Sequence, residues 1–345
     1  MATTLPLPPH FDPSAAGSVW RVAYRERVPD AEAWAQEHDI GPAESDGHRV
    51  CLLLVDCQNT FCIPEFELFV GGRSGTGAVD DTARIAGLVY RTLGAITEIV
   101  LTLDTHTAVQ IFHPFFWIDQ AGRHPEGGAT IITSDDLRAR RWRVNPAAAA
   151  VLGYTPPALA RHALYYVERL EEIGRYPLMA WPYHAMLGGI GHSLVSAIEE
   201  AAFFHGIARR TAPRLVVKGQ SPLTEHYSVF GPEVLENADN LPLGQRDHAL
   251  IEHLLSFDVV LLAGQAKSHC VAWTVEDLLR DVRLRDTSLA SKVHLLEDCS
   301  SPVVIPGVVD FTDQADAAFA RFAEAGMRVL GSHHVPELLC APAGS

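Results

Sequence analysis

Cys270 directly follows an apolar run and opens a helical pattern, in Gly264-Gln265-Ala266-Lys267-Ser268-His269-Cys270-Val271. A thiol at a helix amino terminus sits among unpaired amides and partial positive charge, which lower its pKa from about 8.5 toward neutrality. The thiolate can attack an acyl carbon, and the same amides can hold the oxyanion that the attack creates. A buried structural cysteine is the competing reading of this loop. Asp56 ends another apolar run, Leu52-Leu53-Leu54-Val55-Asp56, where a carboxylate can serve as a general base or simply cap a loop. Lys218 ends Leu215-Val216-Val217-Lys218-Gly219. Its ammonium could steady Asp56 or a substrate carbonyl, or be solvated.

A third cluster has metal-ligand chemistry. Asp104-Thr105-His106 closes an apolar run, and alternate residues on a strand share a side, so Asp104 and His106 can reach one ion. His184, in Trp181-Pro182-Tyr183-His184, would complete a three-ligand site with an open position. His113, in Gln110-Ile111-Phe112-His113-Pro114, is a second candidate ligand. Asp-x-His pairs also arise by chance, and spacing alone leaves this cluster open.

Positioning such residues requires a scaffold that gathers the ends of several strands. Apolar runs suited to buried parallel strands recur near Val50 to Asp56, Glu98 to Asp104, Arg214 to Lys218, Asp258 to Ala263, Lys292 to Glu297 and Met327 to Leu330. Helical spacing fills the gaps at Ala78 to Ala95, Ser193 to His205, Gln245 to Ser256, His269 to Arg285 and Gln314 to Ala325. The alternation predicts an α/β fold, a mostly parallel six-stranded sheet with helices on both faces in Rossmann-like layering. Ligands bind such sheets beyond the carboxyl ends of the strands, which puts Asp56, Asp104, Lys218 and Cys270 in one neighbourhood. Two stretches fall outside the repeating unit: an N-terminal extension, 1–48, and a long insertion at about 107–180 within a single domain spanning 49–340. The insertion suits a substrate-covering lid or a homo-oligomer contact.

Composition narrows the partners. A chain of 345 residues with 48% hydrophobic content can bury a substantial core. Its formal charge of −15, from 42 acidic and 27 basic residues, argues against a nucleic acid or an anionic membrane as the main partner. A small-molecule substrate suits it better. There is no apolar run of membrane-spanning length, and Met1 to Pro9 has neither a basic nor an apolar leader region, so the expected setting is cytoplasmic. Cys51, Cys57, Cys62, Cys270, Cys299 and Cys340 show no disulfide-framework spacing and read as reduced thiols.

Five blocks in order, Val55 to Cys62, Asp104 to His106, Trp181 to His184, Lys218-Gly219 with Tyr227 to Phe230, and Gly264 to Val271, together resemble the nicotinamidase branch of the isochorismatase-like cysteine hydrolases. The similarity covers roughly residues 49–331, interrupted by the insertion. It implies an isochorismatase-like fold with a catalytic triad of Asp56, Lys218 and Cys270. It also implies one divalent ion, zinc or else iron or manganese, held by Asp104, His106 and His184. A cis peptide between Ala266 and Lys267 would shape an oxyanion hole with the Cys270 amide, and Phe61, Trp181 and Tyr227 would enclose a planar ring. Thr60, Ala185 and Leu187-Gly188-Gly189 depart from the family pattern and put nicotinamide itself in question. The implied activity is hydrolysis of a small amide through a thioester, with nicotinamide as substrate. A different amide or ureide on the same scaffold, a non-catalytic binding protein and a peroxide-sensing thiol are the competing readings.

Overall fold

Six apolar runs become the strands of one sheet: β1 Val50–Val55, β2 Glu98–Asp104, β3 Arg214–Lys218, β4 Val259–Gly264, β5 Val293–Leu296 and β6 Arg328–Leu330. The chain's computed structural model describes residues 4–174 and 176–340, except the side chain of Cys340. The strand order is β6-β5-β4-β1-β2-β3, with every pairing parallel. β1 and β4 are buried along their whole length, which is why their sequences read as unbroken apolar runs rather than as alternation.

The pleat divides these residues between two cores. Leu52, Leu54, Ile99, Leu101 and Leu261 pack on one face, whereas Leu53, Val55, Val100, Val260 and Leu262 pack on the other. On the first face, α1 Tyr24–Glu37 packs against α4 Ser196–Ala208, α2 Gly77–Arg91 lies beside α4, and α3 Pro156–Ile173 of the insertion joins the same apolar core. The second is covered by α5 His248–Leu255, α6 Ala272–Arg285 and α7 Thr312–Glu324. The chain leaves β1 for β2 on one side and returns to β4 on the other. The gap between β1 and β4 is therefore a topological switch point, where sheets of this type open a crevice. Register sets what faces that crevice, since Val55 pairs with Gly264 and Asp104 pairs with Lys218.

The two added stretches are built into the body. In the N-terminal one, Leu5 N–H donates to Arg91 O at 2.9 Å and the Ser196 hydroxyl bridges the Trp20 backbone. Arg209, 2% exposed, closes the segment with two bonds of 2.6 and 2.5 Å to the Asp46 carboxylate. Removing that carboxylate strands a buried guanidinium, so Asp46→Ala is expected to lower stability by about 3 kcal/mol. Urea unfolding of the two proteins side by side measures the difference. The insertion carries α3, capped by Thr155 and ended by Gly174 in the left-handed conformation. Two antiparallel strand pairs, Trp117–Ile118 with Arg143–Val144 and Thr130–Ile132 with Leu178–Ala180, complete it. Among the described residues, no helix is long and apolar enough to cross a membrane.

Candidate active site

β1 delivers Asp56, β3 delivers Lys218, and the turn after β4 delivers Cys270. The three are 0%, 2% and 7% exposed, so they meet in a region from which bulk water is excluded. Lys218 Nζ lies 3.0 Å from Asp56 Oδ2, 3.0 Å from Asp104 Oδ1, 2.8 Å from His226 O and 3.6 Å from Cys270 Sγ. Thr102 orients the acid: its hydroxyl donates to Asp56 Oδ1 at 2.5 Å and accepts the Asp56 amide at 3.0 Å.

Burial pushes the Asp56 carboxyl above the ordinary carboxylate range, against the pull of Lys218. Burial also opposes the Lys218 charge, but the Asp104 and Asp56 carboxylates more than offset it and hold the ammonium well above its usual range. For Cys270 the expectation of a lowered pKa is corrected. Burial drives the thiol well above its ordinary value, and Lys218 only partly opposes this. Cys270 therefore rests as a thiol beside a carboxylate whose proton affinity is raised. Its ionisation depends on a local base rather than on a helix terminus alone.

The turn that presents Cys270 starts with a close approach. Gly264 has φ +117°, and a Cβ there would lie 2.1 Å from Val55 O, so only glycine fits. Gln265 N–H still donates to Val55 O at 2.7 Å, and Lys267–Val271 winds as a π-helical turn into α6. The cis peptide is Gln265-Ala266, one residue earlier than the expected Ala266-Lys267. The reason for the correction is that the ladder ends at Gly264, while the Lys267 amide is already held by Ser301 O at 2.8 Å. The Lys267 ammonium reaches Asp316 at 2.7 Å instead of the cavity. Ala266 and Cys270 line the cavity.

Asp104, His106 and His184 offer one ligand atom each, all within 4.8 Å of one another. His106 Nδ1 lies 3.1 Å from Gly219 O and His184 Nδ1 lies 2.7 Å from Pro182 O. With those nitrogens donating to carbonyls, both Nε2 lone pairs converge on Asp104 Oδ2, at 2.7 and 3.6 Å. Three acceptors facing one point fit a cation. The charge balance agrees, because two buried carboxylates share the single ammonium of Lys218. Gly219 makes the approach possible: its φ is +83°, and a Cβ would lie 2.6 Å from both Asp104 Oδ1 and His106 Cε1. His113 stands beside the cluster, its ring 5.8 Å from that of His106 and 5.7 Å from that of His184. Its Nδ1 contacts Thr107 O, its Nε2 is buried without a partner among the described residues, and burial lowers its pKa to about 2.

Above these groups lies a cavity with Phe61, Phe112, Trp181 and Tyr227 among its walls. Trp181 and Tyr227 are locked by a carboxyl that the sequence did not single out. Glu225 Oε1 accepts Tyr227 OH at 2.5 Å and Trp181 Nε1 at 3.1 Å, while Oε2 accepts Tyr166 OH from α3 at 3.0 Å. Burial raises the Glu225 pKa to about 8. The insertion thus braces the cavity through Tyr166 and supplies Phe112 to its wall. Gln58, also unremarked in the sequence, ties the ends of β1 and β2 by exchanging bonds with the Asp104 backbone at 2.8 and 2.9 Å. Thr102 did leave a signal, as a hydroxyl interrupting Ile99-Val100-Leu101-Thr102-Leu103. Of the departures from the family pattern, Thr60 and Ala185 contact each other behind His184, and Leu187 is 62% exposed. None of the three lines the cavity.

No protein-family model matches the chain, and no curated protein matches it. Solved structures do. The yeast nicotinamidase bound to the inhibitor nicotinaldehyde superposes with TM-score 0.50 at 17% identity, over 82% of this chain and 99% of that one. The fold is that of the nicotinamidases. An Acinetobacter baumanii nicotinamidase and pyrazinamidase gives TM-score 0.49 at 18% identity, over 84% of this chain and 100% of the other. An isochorismatase-like hydrolase from Alkaliphilus metalliredigens gives 0.42 at 12%, over 84% and 98%.

Proposed function

We propose that this chain is a cysteine amidohydrolase that converts a small aromatic or heteroaromatic primary amide, nicotinamide foremost, to its acid and ammonia. The observation that carries the reading is the buried contact of Lys218 with Asp56 and with Cys270 Sγ at the floor of an aromatic-walled cavity. The raised proton affinity of Asp56 suits it to take the Cys270 proton as sulfur attacks the amide carbon. Lys218 stays within reach of both resulting charges, and Ala266 and Cys270 line the cavity, where their amides would hold the oxyanion. Collapse of the tetrahedral adduct breaks the carbon–nitrogen bond, and Asp56 returns the proton to the departing ammonia. Asp56 then deprotonates a water that attacks the thioester, releasing the acid and restoring the thiol.

Asp104, His106 and His184 would hold a divalent ion, zinc by its tolerance of two imidazoles and a carboxylate, with His113 as the nearest additional ligand. Bound there, the ion would polarise or orient a donor atom of the substrate or a water. Elemental analysis of the purified protein is expected to find one ion per chain, and His184→Ala to lose it without unfolding. A metal-free wild type with full activity would contradict this role.

An ammonia-release assay over nicotinamide, pyrazinamide, benzamide, maleamate and ureido compounds tests the substrate. Aromatic amides are expected to exceed the aliphatic and ureido compounds by about tenfold or more in kcat/KM, because a group that is not a flat ring fills the slot between the aromatic walls poorly. Efficient turnover of a ureide with inert nicotinamide would keep the thiol chemistry and move the protein to the ureide-cleaving reading. The expectations of a cytoplasmic setting and of self-association through the insertion stand as part of this proposal.

A further inference from the structure

His269, one residue before the nucleophile, is a polar group of the cavity that the chemistry above leaves unused. It is 4% exposed and lines the cavity wall. Its Nδ1 lies 2.8 Å from Ser268 Oγ. That oxygen accepts the Val303 amide at 3.0 Å, so the hydroxyl proton has His269 Nδ1 as its acceptor among the described residues. Nδ1 therefore accepts, and in a neutral ring the proton sits on Nε2. Burial keeps the ring neutral, lowering its pKa to about 3. Nε2 is itself buried with no hydrogen-bond partner among the described residues. Buried donors are rarely left unmet, and this one belongs to a side chain that lines the cavity beside Cys270.

The rings at the cavity wall and those packed behind it fall into two groups. Phe61, His106, Phe112, His113 and His184 contact one another at the metal-ligand end. His269 meets Tyr176, Trp181, Tyr227 and Phe311 at centroid separations of 4.6, 5.4, 5.3 and 4.7 Å. A flat ligand that turns one edge to the metal-ligand cluster presents a different edge to His269.

We propose that His269 is a specificity-determining residue whose Nε2–H donates to an acceptor on the substrate ring, selecting primary amides of rings with two separated acceptors, such as diazine carboxamides. The inference deepens the amidase reading and takes the aromatic substrate from it. Binding, rather than turnover, tests it separately. Cys270→Ala protein, with and without His269→Phe, is titrated calorimetrically with pyrazinamide, nicotinamide and benzamide. His269→Phe is expected to weaken pyrazinamide about tenfold, the effect of stranding one buried acceptor, and benzamide by less than about threefold. His269→Gln, which keeps an N–H, is expected to recover most of the loss. Equal weakening of all three ligands would assign His269 to packing and overturn the proposal, as would no weakening or no binding of any ligand. Nitrogen-15 NMR of histidine-labelled wild type reads the tautomer without a substitution, and a proton on Nδ1 instead of Nε2 also overturns it. Selective binding without ammonia release from any amide sinks the amidase reading and leaves the donor role standing.

Discussion

Cys270→Ala is expected to reduce kcat by about 10⁴- to 10⁶-fold, because a lost nucleophile removes the covalent route and leaves only binding and electrostatics. The fold should survive, since the side chain contributes one small group to a face built largely by Val55, Val271, Val275 and their neighbours. Circular dichroism and urea unfolding check that point beside the kinetics. The control is internal. Cys51, Cys57, Cys62 and Cys299 are fully buried free thiols in the two cores, and burial raises each of them, Cys62 to about 12. Alanine at any of the four is expected to lower stability without a comparable loss of kcat. A thiol reagent should therefore inactivate the enzyme by labelling Cys270, the cysteine that opens onto the cavity. More than about a tenth of wild-type activity in Cys270→Ala, where loss of a nucleophile costs orders of magnitude, would remove the thiol from the mechanism.

Asp56→Asn is the second large effect, about 10³- to 10⁴-fold in kcat, the scale seen when the acid of a catalytic set is neutralised. The amide can keep an acceptor toward the Thr102 hydroxyl, so geometry is largely retained, but it cannot take the Cys270 proton. Lys218 would then keep Asp104 as its remaining carboxylate partner. In the proposed mechanism the active form of Asp56 is the carboxylate, and burial raises its pKa. The acid limb of the kcat/KM profile in the wild type should accordingly lie above the ordinary carboxylate range, with activity lost as pH falls through it. In Asp56→Asn that limb should vanish along with most of the rate. An unchanged acid limb in the variant would place the titrating group elsewhere.

The strands were readable because burial on both faces writes an unbroken apolar run, as in Val50–Val55 and Val259–Gly264, and Asp56 directly follows the first of them. Asp104 and His106 were readable as a pair through strand alternation, whereas His184 lies about eighty positions away and needed the resemblance to place it. What sequence could not show depends on side chains meeting across the sheet. Thr102 orients Asp56 from the neighbouring strand, and Glu225 gathers Trp181, Tyr227 and Tyr166 from three separate segments. The cis peptide was placed one residue late because its position depends on where the β1 and β4 ladder stops, at Val55 and Gly264. The lowered thiol pKa failed for a similar reason. A helix start is visible in sequence, but the desolvation of a buried thiol is a property of the packed molecule.

The central claim is that Cys270 carries the acyl group during turnover. Rapid acid quench of wild-type enzyme mixed with excess nicotinamide or pyrazinamide, followed by peptide mass spectrometry, tests it most directly. The account predicts a mass increase equal to the acyl group on the peptide containing Cys270, appearing as ammonia is released and disappearing when substrate is exhausted. Ammonia release with no acylated peptide, in an enzyme shown by its burst of ammonia to accumulate an intermediate, or acylation at any other residue, would contradict it.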